Sequence, residues 1–189
     1  MNKITGKISF NSPAVLTIVF VSALALFLGE MTGGYTTRLL FSSSRDSLFN
    51  PLFYMRLFTH IFGHADFEHF SGNMMYILLV GPLLEEKYGQ KNIFIIAALT
   101  AVITAVIHVV FFPDTMILGA SGVVFAFIIL ASVTSVSAGK IPVTFIIMSA
   151  IYIGGQIFQG IFIKDNISNI SHIVGGIVGA VCGYNMRRR

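Results

Sequence analysis

The chain has 189 residues, of which 55% are hydrophobic and only 11% charged, with a mean hydropathy of +0.84 and a formal net charge of +4. Soluble domains of this size carry roughly 25% charged residues; here there are too few to coat a globule in water, and the bilayer is the expected solvent. Apart from the terminal Arg187, Arg188 and Arg189, the cations stand singly between apolar runs, which excludes the basic stripe of a nucleic-acid-binding protein, and the lone Cys182 excludes an intrachain disulfide framework.

The apolar runs have about the length of a membrane span and predict six of them. Lys3 and Lys7 precede the first run as in a signal peptide. No small-residue cleavage site follows and more spans come after, so a retained first span is expected from Pro13 to Gly29. A long amphipathic segment, Glu30 to Glu68, then interleaves Phe and Leu with Arg38, Arg45, Arg56 and several His. The remaining spans are expected at His69–Glu85, Asn92–Phe112, Gly119–Val136, Ile141–Ile163 and Asn169–Tyr184. All are helices, because backbone in lipid must satisfy its own hydrogen bonds. The fold class is therefore all-α: a single polytopic transmembrane domain over residues 1–189, with no separate soluble module.

With the N-terminus inside, the cytoplasmic side holds Lys3, Lys7, Lys87, Lys91, Lys140, Arg187, Arg188 and Arg189. The outer side holds Arg38, Arg45, Arg56 and Lys164. The positive-inside bias thus puts both termini in the cytoplasm. Cys182 sits in the last apolar run beside glycines, as a small packing residue does.

Polar groups within the bilayer cost several kcal/mol unless satisfied, so each marks a candidate site. In the second span, His69 and Asn73 are four apart and share a helix face. They either hold developing negative charge as two donors or fasten the helix to the loop before it, a role better suited to His64. In the fourth span, Gly119-Ala120-Ser121-Gly122 puts a serine at a helix start, where unpaired amides and the dipole favour an anion. The bland alternative is a small-residue packing patch.

In the sixth span, Gly175, Gly179 and Gly183 recur every four residues, and His172 precedes Gly175 by three. These residues form one stripe, able to pack closely on another helix. If that helix is the fourth span, His172 meets Ser121, and in this topology both lie near the outer ends of their helices. Histidine is the usual base for a serine nucleophile. Asp114 and Asp165 are loop residues, so a two-residue dyad is the simpler reading. His108, late in the third span, suits a buried hydrogen bond or contact with cavity water.

Together these motifs resemble the rhomboid intramembrane proteases of the six-span bacterial type, over nearly all of the chain. The matching segments are Arg56-Leu57-Phe58-Thr59-His60, His64, His69 and Asn73 in HADFEHFSGN, EEKYG at Glu85–Gly89, GASG at Gly119–Gly122, and His172 with Gly175 and Gly179. Met55 stands where the family usually has Trp, and Phe125 where many members have a Tyr stacked on the histidine; Phe125 keeps the ring face.

The resemblance implies a serine endopeptidase that cuts transmembrane segments near the outer side of the cell (inner) membrane. Ser121 would be the nucleophile and His172 the base, with His69, Asn73 and the Ser121 amide as oxyanion site. Gly119 and Gly122 would allow close packing. The first loop would lie partly in the outer leaflet, and the fifth span would gate the entry of substrate. Substrates would be single-pass membrane proteins whose helix unwinds readily where Pro or Gly occurs, with a small residue before the cut. No cofactor or metal is implied.

Three other readings have distinct marks. An inactive relative would lack the serine or the histidine. A transporter would carry polar residues through the full depth of several helices. A zinc protease of the H-E-x-x-H type would need Glu where Ile61 stands between His60 and His64.

Overall fold

A computed structural model describes residues 10–135 and 166–187, with positions 143, 146, 147, 150, 151 and 154 between them. Most of the expected fifth span, Ile141–Ile163, thus lies outside the described residues. Among the described residues the chain is all-helical, and its only extended pairing is an isolated antiparallel bridge between Ser43 and Ile117. The helices are α1 (Pro13–Met31), α2 (Tyr35–Leu40), α3 (Pro51–Thr59) with a 3₁₀ turn (His60–Phe62), α4 (Phe67–Tyr88), α5 (Gln90–Phe111), α6 (Ser121–Ser135) and α7 (Asn166–Arg187).

Each helix has a local reason to start or stop. Pro13 opens α1, where its fixed φ suits the helix and its missing N–H costs nothing. Asp66 caps α4 by accepting from the His69 amide at 2.7 Å. Gly89, at φ +82°, lets the chain reverse between α4 and α5. Asn50 caps α3, accepting from the Leu52 amide at 3.0 Å.

By length and composition, α1 and α5 are apolar enough to cross a membrane. α6 and α7 carry shorter apolar stretches, Ser121–Ser132 and Ile170–Met186. α4 has a lower mean hydropathy because Glu68, His69 and Asn73 fall near one end and Glu85, Glu86 and Lys87 near the other. The outward side chains of the bundle are themselves apolar, among them Phe20, Phe27, Leu83, Val110 and Ile173. A large exposed apolar surface of this kind fits lipid as the solvent.

α6 is the central helix. Val123, Val124, Ala126, Phe127 and Leu130 are all almost fully buried, so it is apolar on every side. Its most extensive partner is α7, and it also meets α4 and α5.

The bundle has two distinct ends. At one, α4, α6 and α7 begin. At the other, the N-terminus of α1 meets the end of α4, where the buried Glu85 carboxylate accepts from the Ala14 and Val15 amides, each at 2.9 Å. This carboxylate satisfies two amides that α1 cannot pair internally, and it lies at the positive end of the helix dipole.

The expected first loop is built from α2, α3 and the 3₁₀ turn. Asp46 ties it together by pairing with Arg56 and accepting from Asn50 Nδ2 at 2.8 Å.

Candidate active site

The segment before α6 is pinned on two sides. Ser43 and Ile117 exchange backbone hydrogen bonds of 2.9 and 2.8 Å, and the Gly119 amide donates to His60 O at 2.9 Å. Gly119 adopts φ +116°, a conformation disfavoured for residues with a side chain. For this reason α6 starts at Ser121 and not at Gly119, two residues later than the sequence suggests. A second constraint acts at the same position: a Cβ on Gly119 would lie 2.8 Å from Cε1 and Nε2 of His69. The glycine thus lets the His69 ring lie against the backbone just ahead of the serine.

Ser121 is the first residue of α6, so its amide belongs to the first turn, which has no intrahelical acceptor. The serine opens into a cavity of about 250 Å³ shared with His69, Gly119, Gly122, Thr104 and Ser171. Asn73, one turn after His69 on α4, is buried at 7% exposure. Its Nδ2 lies 3.8 Å from where a Gly119 Cβ would be. Among the described residues that nitrogen has no hydrogen-bond partner. A buried donor left unsatisfied in this way costs free energy, and such groups cluster where a ligand or a reacting atom completes them.

α7 reaches the same place through glycine. A Cβ on Gly175 would come within 2.9 Å of the Gly122 carbonyl carbon, and one on Gly179 within 2.8 Å of Ala126 Cα. The two backbones are therefore in direct contact along the stripe. One turn before Gly175, His172 is 3% exposed and stacks on Phe125, with ring centroids 4.6 Å apart and planes inclined by 14°. Phe125 lies one turn into α6 from Ser121. The Ser171 carbonyl oxygen would be 3.5 Å from a Cβ on Gly122. Ser121, His69, Asn73, Gly119, Gly122, Phe125, His172 and Gly175 are thereby gathered at one end of the bundle, with Gly179 a turn deeper.

The other singled-out histidines do different work. His60 Nε2–H donates to Ala101 O at 3.0 Å while the ring borders the cavity. His64 Nδ1–H donates to Phe62 O at 3.1 Å, and its ring meets His69 and Phe70 edge-on. Burial pushes both imidazoles down to about 4, so both are neutral near pH 7. His108 Nε2 lies 3.2 Å from the Thr115 carbonyl and ties the end of α5 to the loop before α6.

His60, His64 and His69 do not converge as metal ligands would: among the described residues no group of three His, Cys, Asp or Glu side chains could hold an ion. Asp114 is exposed, and Asp165 lies outside the described residues. Two further side chains hold the helices that carry the site. Asp66 as the α4 cap was legible from its type and its position just before the helix. Glu85 as the anchor of α1 was not, because its partners lie 70 and 71 residues away.

An all-helical arrangement of the described residues with an apolar exterior is that of a membrane protein, and it carries a polar cavity at one end of the bundle. The sequence model of the Rhomboid domain matches residues 52–189. Rhomboid-related protein 1 of Caenorhabditis elegans is 28% identical over 139 residues, covering 68% of this chain and 39% of that protein's length. The chain belongs to the rhomboid family, whose members are generally intramembrane serine proteases.

Proposed function

We propose that this protein is an intramembrane serine endopeptidase that cleaves transmembrane segments with a Ser121–His172 dyad. The observation that carries the reading is the backbone contact of Gly175 with Gly122. It fixes the helix bearing His172 against the helix bearing Ser121. The stack of His172 on Phe125 supports it by holding the imidazole plane.

In this mechanism His172 takes the proton of Ser121 Oγ as that oxygen attacks the scissile carbonyl, then delivers it to the leaving amine. The acyl-enzyme is released by a water that His172 activates in turn. The negative charge on the carbonyl oxygen falls to the Ser121 amide, the His69 ring and Asn73 Nδ2. That Asn73 nitrogen has no partner among the described residues, which favours this role.

The substrates on this reading are single-pass membrane proteins. On the same reading the chain crosses the inner membrane six times, with both termini cytoplasmic and the cavity toward the outer side.

Two measurements test the proposal. An active-site fluorophosphonate probe should label the wild type and fail to label Ser121→Ala; persistent labelling removes the nucleophile assignment. His172→Ala should abolish cleavage of a transmembrane reporter in a protein that still purifies folded; retained cleavage ends the dyad.

A further inference from the structure

The glycine stripe of α7 runs one turn further than the helix it packs against. Gly179 lies against Ala126 and Gly175 against Gly122, a step of four residues on each helix. The next position back along the stripe is Ser171, level with Leu118. There α6 has not yet begun: it starts at Ser121, and Gly119 turns the backbone aside at φ +116°. The space opposite Ser171 is therefore cavity and not helix, and Ser171 and Leu118 both line it together with Ser121. The Ser171 carbonyl oxygen, 3.5 Å from where a Gly122 Cβ would be, keeps this residue beside the start of α6.

Among the described residues of the cavity wall, few side chains are free to hold a water molecule. Thr104 is 2% exposed and shares its hydroxyl hydrogen between Thr100 O at 2.7 Å and Ala101 O at 3.0 Å. Its methyl faces Gly122, with Cγ2 3.3 Å from where a Cβ would be. His60 Nε2–H donates to Ala101 O, and Nδ1 is enclosed. His69 lies with the oxyanion groups, and Ser121 Oγ is an ester once the acyl-enzyme has formed. That leaves Ser171, 6% exposed. Among the described residues its hydroxyl has no hydrogen-bond partner, and it is not one of the enclosed polar atoms. Such a hydroxyl can both donate and accept. At about 30 Å³ per water, the cavity of about 250 Å³ has room for several.

Building on the Ser121–His172 dyad, we propose that Ser171 is a further catalytic residue, whose hydroxyl holds the water that hydrolyses the acyl-enzyme. The water donates one hydrogen to His172 and the other to Ser171 Oγ. This turns a lone pair of the water oxygen toward the ester carbon on Ser121. As the new carbon–oxygen bond forms, the first proton passes to His172. The bond from that carbon to Ser121 Oγ then breaks, and His172 returns the proton to Oγ. The products are a carboxylic acid and the free serine. Ser171 directly precedes His172, so the group that holds the water adjoins the base that activates it. In acylation Ser171 has no such part, because the proton moves from Ser121 to His172 and on to the leaving group.

The test is pre-steady-state hydrolysis of 4-nitrophenyl acetate by the full chain in detergent. The nitrophenolate leaves readily, so acylation is a fast burst and deacylation limits the steady state. Ser171→Ala should keep the burst and lower the steady-state rate about tenfold, the effect of losing one hydrogen bond to the attacking water. After the ester is removed, the acetyl group on Ser121, read by mass, should decay about tenfold more slowly than in the wild type. Ser171→Thr, which keeps the hydroxyl, should recover part of the rate. The retained burst shows that the Ala variant is folded. A steady-state rate equal to that of the wild type overturns the proposal. A burst slowed as much as the steady state also overturns it, because it assigns Ser171 to acylation or to packing. A burst absent from the wild type, or surviving in Ser121→Ala, fails the nucleophile assignment itself.

Discussion

At the scale of single residues, the candidate site contains one buried donor that the described residues leave unpaired. Asn73 Nδ2 is buried beside Gly119 with no acceptor among the described residues. If its acceptor appears only as the scissile carbonyl becomes an oxyanion, Asn73→Ala should lower kcat on the order of 10²-fold with little change in KM. Thermal stability should hold or rise, because an unsatisfied donor is removed. Steady-state cleavage of a reporter peptide in detergent checks this; a rise in KM at constant kcat would assign Asn73 to substrate binding. Gly119 is constrained differently, by a positive φ and by the His69 ring, so no other residue fits there without moving one of the two.

At the scale of helices, the glycines of α7 are not equivalent. Gly175 and Gly179 face the backbone of α6, whereas a Cβ on Gly176 would meet only Ile129 Cγ1 at 3.5 Å, an ordinary contact. Gly175→Ala should therefore destabilise the protein by about 2–3 kcal/mol through overpacking against an immobile carbonyl and should abolish activity. Gly176→Ala should change stability by less than about 1 kcal/mol, because glycine is the poorer helix former. Unfolding midpoints in a denaturing detergent series, with turnover measured alongside, distinguish the two. If the variants behave alike, the close face of α7 has been misassigned. The four-residue glycine repeat made the existence of a close face legible from the sequence. Its partner was legible only as a conditional, because a stripe of small residues fits any helix that can approach. The contacts with Gly122 and Ala126 identify it as α6.

At the scale of the whole molecule, the two ends of the bundle are held by different chemistry. The end with the cavity is stitched by the Ser43–Ile117 bridge and the His60–Gly119 bond. The opposite end is held by Glu85, which accepts two amides of α1. Glu85→Ala should cost about 2 kcal/mol, since it leaves two buried donors unpaired and removes an anion from the helix dipole. Glu85→Gln should cost less, because its single carbonyl oxygen still accepts. Equilibrium unfolding of both variants against wild type reads the difference, and equal losses would show that the charge and not the hydrogen bonds matters.

The amino-acid sequence by itself determined the helical class and the positions of α1, α4, α5, α6 and α7 to within a few residues, and it singled out the candidate side chains Ser121, His172, His69 and Asn73. Periodicity, Pro, Gly and polar residues in apolar runs are local signals, read along one chain. Only the tertiary structure decided that Glu85 anchors α1, that α6 begins past Gly119, and that Ser171 lines the cavity of Ser121. Each of these depends on groups far apart in sequence meeting at hydrogen-bond or van der Waals distance, and those short-range forces leave no periodic trace in either segment alone.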